Sequence, residues 1–365
     1  MPAIERRTLI VYGGYAVAFV VLALARFGGL PSTVVFALAV VGLAMGAVAV
    51  GEATSKLAHR LSPAATGVVQ SVLGNLPELF LAVFALQAGL YSVVAAAIVG
   101  SVLGNLLFVL GLALVVGGVR HGRLEFSRAA NGLYATVLLL GLGALIVPFL
   151  ATQVGAPDFG HAAELSAIVA ITLLVIFAVS IPIFLRLPQA GPGTRPDVDD
   201  EGKPEHPPSP LLPTLLTLAV SAGSAAFVAD WFVEALQPAM ASIGMSEAFA
   251  GLIVIALAGN AVENLVAISA AWHNRPDLSL ALVLNSALQV VLFLAPILVL
   301  LSFFVAPAPL TLVFTPLLLG VLAVSVILVF AIVLDGEANA LEGAMLLGLY
   351  VIVAAAVWWG PQIHG

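Results

Sequence analysis

The chain has 365 residues, of which 62% are hydrophobic and 8% are charged, and its formal net charge is -7. An ordinary soluble domain carries about 25% charged residues, so a soluble globular protein is excluded. The mean hydropathy of +1.18 predicts an all-α polytopic membrane protein. The apolar runs are continuous, which argues against an outer-membrane barrel. The absence of cysteine excludes thiol–metal chemistry.

Because about 20 apolar residues cross a bilayer, the hydropathy pattern predicts about eleven transmembrane helices. The first is interpreted as a retained helix, since no small-residue cleavage site follows it. The predicted spans are 8–26, 33–56, 64–89, 92–118, 131–150, 162–186, 211–236, 247–272, 278–303, 310–334 and 339–360.

One internal stretch, residues 188–210, is rich in proline, acidic and without apolar periodicity, which predicts a flexible cytoplasmic linker. It separates two sets of five helices. The predicted organisation is therefore an N-terminal transmembrane helix in residues 1–32, a first five-helix repeat in 33–187, the linker, and a second five-helix repeat in 211–365.

The basic residues predict the orientation in the membrane. If the N-terminus is cytoplasmic, only Arg26 of the 12 lysines and arginines lies outside, as the positive-inside rule requires. Eleven spans then place the C-terminus outside, in the plasma (inner) membrane. Because five is odd, the two repeats are inverted, as in many secondary transporters. The inside residues are Arg6, Arg7, Lys56, Arg60, Arg120, Arg123, Arg128, Arg186, Arg195, Lys203 and Arg275.

Two similar segments each place a carboxylate inside an apolar run. Residues 74–78 read Gly-Asn-Leu-Pro-Glu, and residues 259–263 read Gly-Asn-Ala-Val-Glu. A charged group inside a bilayer is costly and indicates a functional site. Pro77 predicts a break in the third span near residues 73–75, and Gly259 is the local breaker in the eighth.

Further polar residues follow each acid on the next predicted helix. Ser101 and Ser286 each lie 23 residues after their glutamate, and Asn105 and Gln289 lie four and three residues beyond these serines. Carboxylate, amide and hydroxyl oxygens suit a hard cation such as Ca²⁺. A buried carboxylate can be neutralised by a metal ion or by a proton, so the two are predicted to be alternative ligands, with no resident cofactor.

Five other acids are candidates for peripheral roles only. Glu52 is near enough to Lys56 along its helix to form an ion pair with it, which is the favoured interpretation. For Asp230 and Glu234, solvated helix-end charges are favoured over an ion vestibule. Asp335 and Glu342 lie just before and at the start of the last span.

Together, residues 74–78, 100–107, 259–264 with 285–289, and 335–343 resemble the calcium/proton exchanger family of the cation/calcium antiporter superfamily. The resemblance covers about residues 50–360. It implies alternating access by sliding of gating helices, with Glu78 and Glu263 as the central cation- and proton-binding acids. The residues that would support coordination or gating are Asn75, Ser101, Asn105, Asn260, Ser286 and Gln289.

The leading expectation is an antiporter that expels cytoplasmic Ca²⁺ in exchange for protons. The alternatives are a sodium/calcium exchanger, another monovalent or divalent cation–proton antiporter, and a passive channel that needs no counter-ion. No enzyme motif is present, so an enzyme is not expected, and no basic patch indicates nucleic-acid binding. The expected partners are Ca²⁺, protons and membrane lipid, and homo-oligomer formation stays open.

Overall fold

The computed structural model describes residues 3–58, 69, 72–153, 160–184 and 211–358. These residues divide into two compact units. Unit 1 comprises residues 1–84, 181–244 and 258–262, and unit 2 comprises residues 85–180, 245–257 and 263–365. The predicted linker, residues 188–210, lies outside the described residues.

Almost all of the described chain is helical. Helices α1 to α7 are Ala3–Phe27, Ser32–Ala58, Leu76–Gln87, Tyr91–Leu103, Leu110–His121, Arg128–Gln153 and Ala162–Phe184. Helices α8 to α15 are Leu211–Ile243, Glu247–Phe249, Ala256–Gly259, Ala261–Trp272, Pro276–Gln289, Ala295–Val305, Pro316–Asp335 and Ala340–Trp358. Within the described residues, three π-helical stretches join neighbouring helices: Gly104–Val109, Ala250–Ile255 and Val290–Leu294. Two short strands, β1 (Leu124–Glu125) and β2 (Glu337–Ala338), pair antiparallel.

The prediction of an all-α polytopic membrane protein is confirmed. The described residues contain 9 helices long and apolar enough to span a membrane, or up to 10 if a bent pair is one span. That pair joins Glu247–Gly259 to Glu263–Trp272 at an angle of 67°. Of the predicted third span, the structure contains one continuous helix of 12 residues, Leu76–Gln87, within its described residues. The count of eleven therefore stays a prediction.

Two predicted boundaries were wrong. The tenth span begins at Pro316 rather than residue 310, because Thr315 caps the helix by accepting from the Leu318 amide at 3.4 Å and a proline suits the first position of a helix. The preceding backbone is bound by hydroxyl groups, since the amides of Leu310 and Leu312 donate to Ser302 and Ser166 at 2.7 and 3.0 Å. The seventh span continues beyond residue 236 to Ile243, with Pro238 inside the helix. Membrane helices tolerate such a proline, because neighbouring groups satisfy the freed backbone.

The breaks near the two acidic motifs are in equivalent places. The helical backbone is interrupted at Asn75 and at Asn260, and a 12-residue helix follows each break, α3 and α11. Pro77 is the second residue of α3. A proline in the first turn is not disruptive, because the amides there have no intrahelical acceptor. The interruption of the helix at Asn75 confirms the predicted break in the third span.

Two pairs of corresponding helices have the same separation, 185 residues. It relates the starts of α3 and α11 (Leu76 and Ala261) and the starts of α4 and α12 (Tyr91 and Pro276). A π-helical stretch then follows both α4 and α12. The order of these elements is thus the same in both halves.

In unit 1, helices α1, α2 and α8 pack together. Small residues allow a close approach of α2 to α8, where Val50 and Ala53 contact Leu218 and Ala225. Close packing is the main attraction between helices in lipid, because lipid tails are as apolar as the side chains.

In unit 2, glycine permits an even closer crossing between α4 and the π-helical stretch 250–255. A methyl group added at Gly100 would overlap the backbone of Leu252. At Gly251 it would overlap the carbonyl oxygen of Val93 and lie 2.7 Å from the methyl carbon of Ala96. The sequence pattern Gly-x-x-x-Gly at residues 100 and 104 predicts this proximity, but only the first glycine is in tight contact.

We expect Gly100→Ala to destabilise unit 2, because the colliding atoms are backbone and cannot rotate away. Overpacking costs about 1–3 kcal/mol. The matched control is Gly104→Ala, where the nearest atom, Leu257 Cδ2, would lie at an ordinary 3.9 Å. Thermal unfolding of the purified protein in detergent should show a lower Tm for the first variant only. Equal Tm values for both variants would contradict the close crossing.

Polar contacts between helix ends allow a check of the predicted topology. On one side, Arg123 pairs with Glu337 at 2.8 Å, and the amide of Ser127 donates to Asp277 Oδ1 at 2.7 Å. The predicted topology assigns all these residues to the cytoplasm. The amide of Ala308 donates to the Tyr91 hydroxyl at 2.7 Å, and both lie on the predicted outside. Each of these contacts joins residues that the predicted topology assigns to the same side of the membrane.

Candidate functional site

Both acids of the repeated motif lie at the start of a helix. Glu78 is the third residue of α3, and Glu263 is the third residue of α11. Free backbone N–H groups at the start of a helix favour a negative charge by about 0.3–1 kcal/mol. Each break thus places a carboxylate where the local backbone supports it, within an otherwise apolar sequence.

The acid of the first motif contacts the second motif within unit 1. The side-chain amide of Asn260 donates a hydrogen bond to Oε1 of Glu78, and both residues are buried. Asn75 is also buried, and its backbone carbonyl accepts from the amide of Leu79 at 2.9 Å. Residues 182 positions apart therefore form one polar cluster in the apolar interior.

Gly259 lies directly against this carboxylate. A Cβ atom at this position would lie 2.5 Å from Cγ and 2.8 Å from Oε1 of Glu78. At the equivalent Gly74, a Cβ atom would meet no described atom within 4 Å. The second glycine therefore makes room for the acid of the first motif, and the first glycine has no such contact.

The acid of the second motif lies in unit 2. Glu263 is half-buried, and its side chain forms a hydrogen bond with that of Ser286 on α12. Ser286 and Gln289 are both buried on that helix. The predicted link between Glu263 and the following serine motif is thus present as a direct contact.

Ser101 and Asn105 are buried in unit 2 and contact each other through the backbone. The Asn105 side-chain amide donates to the Ser101 carbonyl at 2.8 Å. This bond spans the start of the π-helical stretch at Gly104. A π-helical turn within an α-helix is frequently found at functional sites, where it redirects side chains.

The candidate site residues fall into two sets, one in each unit. Unit 1 holds Glu78, Asn75 and Asn260, and unit 2 holds Glu263, Ser101, Asn105, Ser286 and Gln289. That the two acids share one site stays a prediction.

Two of the peripheral acids have basic partners. Glu52 lies 3.5 Å from Lys56, so the predicted ion pair is confirmed. Thr8 of α1 also donates to Glu52, at 3.2 Å. Glu234 pairs with Arg26, whereas Asp230 is exposed on the same helix.

The remaining two acids contribute to local structure before the last span. The backbone carbonyl of Asp335 accepts from the Arg128 guanidinium, with an Nε distance of 2.9 Å. Glu342 accepts from the Asn339 amide at 2.8 Å, while the Asn339 side chain accepts from the Leu341 amide at 2.9 Å. This reciprocal pattern caps the first turn of α15.

Sequence reasoning missed three residues with specific contacts. It treated Gly259 only as a helix breaker, and it gave no role to Thr8 or Arg26. Arg26 carried one usable signal, because it is the single basic residue predicted to lie outside. The close approach of Gly259 to Glu78 had no signal in the sequence, since it depends on contact between distant segments.

The candidate residues carry carboxylate, amide and hydroxyl oxygens, which are the ligands that a hard cation prefers. The long apolar helices define a polytopic membrane protein. The chain belongs to the sodium/calcium exchanger protein family, whose profile matches residues 31–186 and 213–359.

Characterised relatives cover nearly the whole chain. It is 33% identical over 361 residues to a Ca²⁺/H⁺ antiporter of Synechocystis sp., with 93% of this chain and 94% of the relative covered. It is 34% identical over 332 residues to the Ca²⁺/H⁺ antiporter ChaA of Bacillus subtilis, with 89% and 92% covered. The solved structure of native YfkE has 30% identity and a TM-score of 0.79, covering 96% of this chain and 99% of that one.

Proposed function

We propose that this protein is a secondary active antiporter that exchanges cytoplasmic Ca²⁺ for protons, with Glu78 and Glu263 binding each ion in turn. The observation that carries the proposal is the hydrogen bond from Asn260 to Glu78. It joins the acid of one motif to the amide of the other, in a chain whose relatives are named Ca²⁺/H⁺ antiporters.

The chemistry of two membrane carboxylates accounts for obligatory exchange. Ca²⁺ carries two charges, which two carboxylates neutralise, and it takes six to eight oxygen ligands. When Ca²⁺ leaves, two uncompensated negative charges would face a medium of low dielectric constant, which is strongly unfavourable. Protons remove this cost. The site can therefore change its access with Ca²⁺ or with protons bound, but not while empty and charged.

The two acids would meet at the interface of inverted repeats formed by residues 33–187 and 211–365. The shared separation of 185 residues between α3 and α11 and between α4 and α12 supports the repeat. The contacts between helix ends support the eleven-span topology, because each joins ends assigned to the same side. Binding near the midplane between such repeats is common in secondary transporters.

The proposed location is the plasma (inner) membrane, with the N-terminus in the cytoplasm and the C-terminus outside. Exposed apolar side chains such as Leu24 and Phe304, at 69% and 87% exposure, provide surfaces for lipid. A homo-oligomer would cover part of these surfaces.

A sodium-coupled exchange is the second candidate, because the matching family profile is that of sodium/calcium exchanger proteins. Sodium and protons would compete for the same carboxylates. The two functions therefore differ in which ion gradient drives Ca²⁺ movement.

We expect purified protein in liposomes to accumulate Ca²⁺ when an imposed pH gradient drives protons out of the liposomes, without sodium. Each proton released down a 100 mV potential contributes about 2.3 kcal/mol, in addition to the pH term. Ca²⁺ uptake is followed with a trapped indicator, and protein-free liposomes are the control. Uptake that requires a sodium gradient would favour the second candidate. Uptake with neither gradient would indicate a passive channel.

A further inference from the structure

The N-terminal helix α1 forms polar contacts near its two ends with two different helices of unit 1. Its beginning is bound to the end of α2, and its own end is bound to the last third of α8. In the proposed topology, the first attachment lies on the cytoplasmic side and the second on the outside. Helix α1 lies outside both proposed repeats.

The attachment to α2 is a closed polar cluster. Thr8 donates to Glu52 at 3.2 Å and accepts from Lys56 at 3.1 Å, and these two α2 residues also pair with each other. The Lys56 ammonium lies 5.4 Å from the ring centre of Tyr12, one turn further along α1. Both charges on α2 are therefore compensated next to α1.

The attachment to α8 combines an ion pair with an aromatic cluster. The guanidinium of Arg26 binds Glu234 and lies 5.4 Å from the ring centre of Trp231. Phe19 and Phe27 of α1 also contact Trp231, with ring-centre distances of 5.4 and 5.8 Å. Aromatic and cation–π contacts of this kind are favourable beyond the apolar area that they bury.

Between the two ends, α1 packs against glycines of α2. A Cβ atom at Gly46 would lie 3.2 Å from the Tyr15 hydroxyl, and one at Gly42 would lie 3.5 Å from Leu22 and 3.1 Å from Val228 of α8. Helix α1 is therefore in close contact with α2 along its length as well as at its ends.

We propose that α1 acts as a strut between α2 and α8. It keeps these two helices from shifting relative to each other along the membrane normal, so that the three helices move as one body during transport. Sliding of α2 along α8 would pull on both attachments, because they lie at opposite ends of one rigid helix. Arg26 is then a positioning residue for transport, although it touches no transported ion. The proposal rests on the proposed antiport function.

The first test cross-links α1 to α8. The chain contains no cysteine, so Arg26→Cys and Glu234→Cys introduce the only two thiols. A flexible bis-methanethiosulfonate reagent spans the pair through disulfides that a reductant cleaves. We expect the cross-linked protein in liposomes to transport Ca²⁺ at least as fast as the same sample after reduction. Loss of transport on cross-linking, with recovery on reduction, would overturn the proposal. Each single-cysteine variant, treated identically, controls for simple modification.

The second test reverses the ion pair. Arg26→Glu places two carboxylates together, and we expect the maximal Ca²⁺ transport rate to fall roughly threefold or more. The Ca²⁺ concentration at half-maximal rate should not change, because the cation site is elsewhere. Adding Glu234→Arg should restore the rate. A changed half-maximal concentration, or no rescue in the double variant, would contradict a positioning role.

The outcomes also separate the strut from the antiport proposal. If the wild-type protein shows no proton-driven Ca²⁺ transport, the proposed function fails. If the wild-type protein transports and the cross-linked variant is blocked until it is reduced, the strut alone fails.

Discussion

Glu78→Gln and Glu263→Gln are each expected to abolish Ca²⁺-dependent proton movement. Each change removes one of the two charges that would balance Ca²⁺ and also removes a proton-binding group. Loss of one partner from a buried charge pair costs about 3–5 kcal/mol, which corresponds to a loss of affinity on the order of 100-fold or more. Glutamine keeps the shape of the side chain, and at position 78 its amide oxygen can still accept from Asn260. The fold should therefore be preserved.

The measurement is proton flux in liposomes, followed with a pH-sensitive dye on addition of Ca²⁺. Asp230→Asn is the matched control, because it also neutralises an acid on a predicted span, but one that is exposed. It should transport normally. Wild-type rates in both glutamine variants would rule out the two acids as the exchange site, even if the protein is an antiporter.

Gly259→Ala is expected to impair transport severely, whereas Gly74→Ala should have little effect. The added methyl carbon at residue 259 would lie 2.5 Å from Glu78 Cγ, so the acid or the backbone must move. At residue 74, the same methyl group meets no described atom within 4 Å. A displacement of about 1 Å at a functional site can cost 100-fold in rate. Ca²⁺ transport rates for the two variants, at matched protein levels, provide the comparison.

This pair is informative because the two glycines occupy equivalent places in the repeated motif. If both variants lose transport equally, the motif acts through its helix breaks rather than through space for the acid. If both remain active, the carboxylate of Glu78 is not confined by Gly259.

Much of the fold follows from local sequence signals. Long apolar runs specify membrane helices because the bilayer leaves few other ways to satisfy the backbone. Pro77 indicates the break in the third span, because a proline is tolerated in the first turn of a helix but not further inside it. The Glu52–Lys56 ion pair was also predictable, since residues four apart on a helix are neighbours.

Other features depend on contacts between distant segments and had no local signal. The extended segment before α14 depends on the hydroxyls of Ser302 and Ser166, which bind the amides of Leu310 and Leu312. The start of the helix itself carries a local signal, because Thr315 caps it and Pro316 is its first residue. The contact of Asn260 with Glu78 joins opposite halves of the sequence. Repetition of the motif indicated that its two copies act together, but not which atoms meet.

The unequal surroundings of the two acids have a consequence for the transport cycle. One carboxylate is confined by a glycine and bound by an amide, while the other is half-buried and bound to a serine hydroxyl. In the proposed exchange, a cation would therefore meet two unequal ligands, and we expect it to leave one acid before the other. Internal symmetry of the chain does not make its two halves kinetically interchangeable.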